Sequence, residues 1–135
     1  MVTFVDTSAL YAFLAADDED HAASVEVYRR LTTALEPLIT HSYVVVELTA
    51  LVQRRLGFEA VATLQDSVWP QLEIVWVDQA LHERAVEANR AAARRAVSLV
   101  DWTSFIVMRD RRIGDAWAFD RDFVEHGFRT GLADR

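Results

Sequence analysis

The chain has no cysteine and no lysine, and only two prolines and four glycines among its 135 residues. Without cysteine there is no disulfide, no thiolate zinc site and no cysteine nucleophile, and a reducing cytoplasm is the expected setting. All 14 basic residues are arginines, so every mechanism that needs a lysine is excluded. No apolar run approaches the roughly 18 residues that a membrane helix requires. The N-terminal MVTFVDTSALYAFLAA has no basic flank and carries Asp6 inside its apolar part, so it reads as neither signal peptide nor anchor. None of the glycines falls at the first strand-to-helix turn, which removes a glycine-rich phosphate loop. Bulk positive charge is missing too. A formal charge of −7 excludes a protein that holds nucleic acid by coating one face with cations. Local patches remain, because the arginines cluster as Arg54 with Arg55, Arg90 with Arg94 and Arg95, and Arg109 with Arg111 and Arg112.

Against these absences stands an apolar fraction of 52% with 26% charged residues, enough for a sizeable core in one compact domain spanning 1–135. Residues 2–5 (VTFV) read as a short buried strand that runs into a helix through ALYAFLAA, with Asp6, Thr7 and Ser8 at the helix start. The acidic run 17–20 reads as a loop, with Asp20 capping a second helix to about Leu35. Pro37 breaks that helix, LIT forms a second strand, and Ser42 opens a third helix that Gly57 closes. A fourth helix is expected over about 58–68. The strand LEIVWV follows, then a helix from Asp78 to about Arg95, and a helix over SLVDWTSFIVMRDRR stopped by Gly114. AWAF is the last strand. Alternating strands and helices predict an α/β fold with a central parallel sheet of four to five strands and helices on both faces. In such folds ligands bind where strands end and helices begin.

Four acids map to that edge. Asp6 follows the first strand, Glu47 lies early in the third helix, Asp101 opens the WTSFIVM helix and Asp120 follows the last strand. Asp6, Asp101 and Asp120 each have a competing reading as helix caps, Asp101 as partner of Ser98 in a capping box. Glu47, spaced from Val44 and Leu51 along YVVVELTALV, is expected to point inward, where a glutamate needs a partner. Carboxylates converging to about 5 Å repel by roughly 3 kcal/mol per ionised pair, so the cluster calls for an inserted arginine or a divalent cation. All-oxygen ligation selects Mg²⁺ or Mn²⁺ over zinc. His21, His41, His82 and His126 show no ligand spacing and read as structural. Ser8, Ser42 and Ser104 show no histidine partner in sequence context, which argues against a serine hydrolase. Trp69, Trp76, Trp102 and Trp117 read as packing residues before base-stacking ones.

The segments FVDTSAL, VVVELTAL, SLVDWTSF and AFDRDF, in this order over nearly the whole chain, resemble the four motifs of PIN-domain nucleases. The short length and the SLVDWTSF wording resemble VapC-type toxins of bacterial toxin–antitoxin pairs. That resemblance implies a PIN-like domain that is a cytoplasmic, Mg²⁺- or Mn²⁺-dependent endoribonuclease. It implies an RNA substrate, 3′-hydroxyl and 5′-phosphate products, a cognate antitoxin that forms a heteromeric complex with it, and a homodimer. It further implies metal or catalytic roles for Asp6, Glu47, Asp101 and Asp120, Asp122 as a fifth acid, and Thr7 and Ser104 as supporting hydroxyls. One position departs: family members often carry a hydroxyl residue where this chain has Ala118. Two other readings remain. An acidic-cleft interaction module needs no catalysis. Phosphoryl transfer to an aspartate also uses acids at a strand edge, but generally with a lysine that this chain lacks.

Overall fold

The structure is a computed structural model that describes residues 1–132. Its four strands are β1 (Thr3–Val5), β2 (Leu38–His41), β3 (Leu72–Val75) and β4 (Asp115–Trp117). All pair in parallel in the order β3-β2-β1-β4, with Phe4 opposite both Ile39 and Ala116. An isolated parallel bridge from Asp115 to Arg129 extends the sheet beyond β4 without forming a fifth strand.

Side chains alternate across this sheet, as the two-residue period of a strand requires. Phe4, Ile39 and Ala116 enter one core with Phe105, Met108 and Phe123, while Val5, Leu38 and Trp117 enter another with Leu10, Leu48 and Leu64. Each face is thus covered by helices, and strands buried on both sides read as short apolar runs rather than alternating ones. The helices are α1 (Thr7–Leu14), α2 (His21–Thr33), α3 (Ser42–Leu56), α4 (Phe58–Thr63), α5 (Gln79–Ala92), α6 (Leu99–Asp110) and the short α7 (Asp122–Glu125). After β1 the chain builds outward through β2 and β3, then returns to add β4 on the other side of β1. The direction of growth therefore reverses between β1 and β4, and their C-terminal ends open a crevice there.

Three boundaries differ from the sequence expectation. The helix expected over 58–68 widens at Leu64–Val68 into a π-helical turn followed by a 3-10 turn at Trp69–Gln71, because Pro70 cannot donate to a continuing α-helix. The helix expected to reach Arg95 ends at Ala92, with Ala93 in the left-handed region at φ 49. That turn lets Val97 enter the core and Ser98 cap α6. Gly114 does not stop α6, which ends at Asp110 and reverses through Arg112 at φ 55. A Cβ at 114 would lie 2.8 Å from the end of the Arg129 side chain, which would have to shift to admit it.

Candidate metal centre

A cleft of about 270 Å³ at the β1/β4 crevice is lined by Asp6, Thr7, Ser8, Glu47, Ser98, Asp101 and Asp120. Asp6 is the cap of α1 and is only 4% exposed. Its Oδ2 accepts from the Ser8 amide at 3.2 Å and the Ser8 hydroxyl at 2.7 Å. Ser8 Oγ in turn accepts from the Phe119 amide at 3.0 Å, which ties the exit of β1 to the exit of β4 one residue before Asp120. Asp101 and Ser98 form a capping box: the Ser98 amide donates to Asp101 Oδ2 at 2.9 Å, and the Asp101 amide donates to Ser98 Oγ at 3.2 Å. Asp120 Oδ1 accepts from the Asp122 amide at 3.0 Å. The cap roles of Asp6 and Asp101 are therefore real, and each fixes a carboxylate at the cleft.

Carboxylate oxygens of Asp101, Asp120 and Asp122 lie within 4.8 Å of one another. Ionised together, each pair at that separation repels by roughly 3 kcal/mol at an effective dielectric of about 20. Burial, opposed by the Ser8 hydroxyl and increased by Asp101 and Asp120, pushes the Asp6 carboxyl up to about 7. Burial, opposed by the Ser98 amide and increased by Asp120, pushes Asp101 up to about 6. Asp122 is raised by burial and by Asp120. Among the described residues, no arginine or histidine pairs with Asp6, Glu47, Asp101, Asp120 or Asp122; the nearest ion pair is Arg94 with Glu125 at 3.5 Å. Among the described residues no arginine is inserted among these acids, and Arg94 only lowers the Asp122 pKa from a distance.

Glu47 differs from the expectation. It is exposed and reaches the cleft from its rim. Two stripes compete along α3, and the one that enters the core is Val44, Leu48 and Val52. Glu47, one residue before Leu48, is turned about 100° away from it.

The donor set fits a hard divalent cation: its carboxylates and hydroxyls are all oxygen ligands. The Thr7 Oγ1 atom is buried at this cleft without a hydrogen-bond partner, which leaves it free to accept from water on such an ion. Residues 3–129 match the PIN-domain family. The chain belongs to that family. It is similar to the 23S rRNA-specific endonuclease VapC20 of Mycobacterium tuberculosis, 37% identical over 129 residues, covering 93% of this chain and 94% of that protein. Ribonuclease VapC26 of the same species is 31% identical, with coverage of 79% and 77%. The crystal structure of VapC20, described as a sarcin-ricin loop cleaving toxin, superposes with a TM-score of 0.81 over 96% of this chain and 98% of that one. FitAcB from Neisseria gonorrhoeae, 17% identical with a TM-score of 0.63, shares the fold.

Two further findings separate this PIN domain from the sequence reading. Ser8 holds Asp6 directly, whereas the sequence offers it only as a helix-start residue. The signal is its position two residues after an acid at a strand end, the spacing of an Asx turn. Ser104 does have a histidine partner, His41, at 2.8 Å. The pair is separated by 63 residues, so no local pattern reveals it, and both side chains are buried away from the cleft. Ser104 is therefore no nucleophile. The other histidines are structural as expected: His21 bonds Ala12 O, His126 bonds Asp122 O and His82 meets Tyr43. Trp117 is a core residue, while Trp76 is 71% exposed. Ala118 is buried and offers no hydroxyl.

Proposed function

We propose that this PIN domain is a Mg²⁺- or Mn²⁺-dependent endoribonuclease that acts as the toxin of a toxin–antitoxin pair. The observation that carries the reading is the gathering of four aspartates, with Glu47 at the rim, at the crevice of a fold shared with VapC20. The substrate class is structured ribosomal RNA, by likeness to a relative described as cleaving 23S rRNA.

In this reading Asp6 and Asp101 would be the main metal ligands, and Glu47 and Asp120 would support them through water or a second ion, with Asp122 as a fifth acid. When bound, such a cation would supply a lowered water pKa and a polarised scissile phosphate. The chain's own residues do the rest. The Ser8 hydroxyl and amide orient Asp6, and the capping box orients Asp101, so both carboxylates are fixed before substrate arrives. Thr7 Oγ1 accepts a hydrogen bond from cleft water. Arg94, Arg95 and Arg121 flank the acids in sequence, Arg94 near enough for its charge to act on Asp122, and they supply cations for RNA phosphates that the acidic cleft repels. Exposed Phe58 and Trp76, 73% and 71% accessible, offer apolar surface for a homodimer partner or an antitoxin.

The test is cleavage of total RNA and of a sarcin-ricin loop oligonucleotide by purified protein with Mg²⁺, Mn²⁺ or EDTA, beside Asp6→Asn and Asp101→Asn. Discrete fragments that disappear with EDTA and in both variants support the reading. Cleavage that survives either substitution, or none by the wild type, overturns it.

A further inference from the structure

His41 ends β2 and is completely buried. Its ring lies 5.7 Å from Phe4 and edge-on to Tyr43. Both ring nitrogens are engaged. Nδ1 accepts from the Val44 amide in the first turn of α3 at 3.4 Å, and Nε2 lies 2.8 Å from Ser104 Oγ on α6. The Ser104 hydroxyl proton is already spent on the Val100 carbonyl at 3.0 Å. Ser104 Oγ must therefore accept from the ring, so Nε2 carries the proton while Nδ1 keeps a lone pair. All three hydrogen bonds agree on this one neutral tautomer. Burial also holds the ring's pKa down, to about 4, so no second proton competes for Nδ1 near neutrality.

The two ends of this bridge matter. Val44 lies one turn before Glu47 on α3, and Val100 and Ser104 flank Asp101 on α6. Val44 on α3 and Phe105 on α6 belong to one apolar core, whose burial is non-directional, whereas the hydrogen-bonded bridge is directional.

We infer that His41 is a positioning residue of the acid site: through Ser104 it fixes the first turn of α3 against the first turn of α6, and so sets the separation of Glu47 and Asp101. The inference rests on the proposed metal-dependent reading and adds to it His41, a residue outside the four motifs.

Two variants break the bridge from opposite sides. His41→Asn keeps a favourable cap for α3 but is too short to reach Ser104, and Ser104→Ala leaves the His41 cap intact. Direct Mn²⁺ titration should show each needing about tenfold more Mn²⁺ for half-saturation, the scale of support removed from behind a metal ligand. The double variant should lose no more than either single one. In cleavage assays at saturating Mn²⁺, KM for RNA should stay unchanged. In metal-free wild type, ring ¹⁵N shifts should report protonated Nε2 and bare Nδ1. An unchanged Mn²⁺ midpoint in folded variants, additive losses, or the opposite tautomer would overturn the inference alone. Wild-type protein that binds no Mn²⁺ would overturn the proposed function and this inference with it. Should His41→Asn fail to fold, Ser104→Ala decides the matter.

Discussion

Shifting the pH from 6 to 8 should tighten Mn²⁺ binding by about 20-fold, because at pH 6 the ion must displace protons from the carboxylates it needs. With Asp6 pushed up to about 7 and Asp101 to about 6, their protonated fractions at pH 6 are about 0.9 and 0.5. Binding that requires both ionised then releases about 1.4 protons at pH 6 and about 0.1 at pH 8. The competition weakens binding by a factor of about 22 at pH 6 and about 1.1 at pH 8, a difference near 1.8 kcal/mol. Isothermal titration calorimetry in two buffers of different ionisation enthalpy counts the protons directly. Asp6→Asn should remove most of the release at pH 6, since Asp6 supplies the larger share. Proton release near zero at pH 6, with an affinity flat in pH, would refute the claim that these carboxylates are the ligands.

The same burial makes ionised Asp6 a liability in the metal-free protein. Its folded pKa lies above its unfolded one, so the native state binds the extra proton and metal-free stability falls as pH rises from about 4 to 7, by at most about 4 kcal/mol. Asp6→Asn should therefore raise the metal-free Tm at pH 8 while abolishing cleavage, and a lowered Tm would count against the burial argument. Ser8→Ala removes the hydroxyl that lowers the Asp6 pKa and strands the Phe119 amide. It should cut kcat by about 10- to 100-fold and move the acid limb of the pH–rate profile upward, and an unshifted limb would show that Ser8 does not act through Asp6. Ala93→Gly should stabilise the protein by about 0.5–1 kcal/mol because residue 93 is left-handed, and chemical denaturation would show a destabilisation instead if that turn were not fixed. Replacing Arg94, Arg95 and Arg121 by Ala should lower the salt slope of RNA binding by about 0.7 for each phosphate no longer neutralised, and an unaltered slope would move the RNA path elsewhere.

How much of this is legible in the sequence depends on how local each cause is. Strand positions, helix starts and the parallel sheet follow from short apolar runs, from Asp6, Ser98 and Asp78 as caps, and from Pro37 and Gly57 as breaks. Each of those acts within a few residues. The same locality places Asp6 and Asp120 at one edge, because every strand of a parallel sheet delivers its following residue to the same side, and the capping box with Ser98 marks Asp101 as the start of a helix. What escapes is set by tertiary demand. Ala93 and Arg112 turn left-handed without glycine because the elements that follow must reach the sheet. Gly114 reads as a helix stop, whereas α6 has already ended at Asp110 and reversed through Arg112, and Gly114 lies against the end of the Arg129 side chain, 15 positions on. Glu47 reads as inward-facing because a 15-residue helix with valines and leucines at many positions offers two apolar stripes, and only the neighbouring Phe105 and Leu64 cores decide between them. His41 and Ser104 are the clearest case. His41 has no local motif, and although Ser104 lies in SLVDWTSF nothing there points to a partner 63 residues away, yet the pair satisfies polar groups in a buried place where an unpaired one costs about 1–3 kcal/mol. A site built on one sheet edge is thus readable in its charged residues, which sit where the chain must turn, and far less so in the neutral side chains that hold those residues at a fixed spacing.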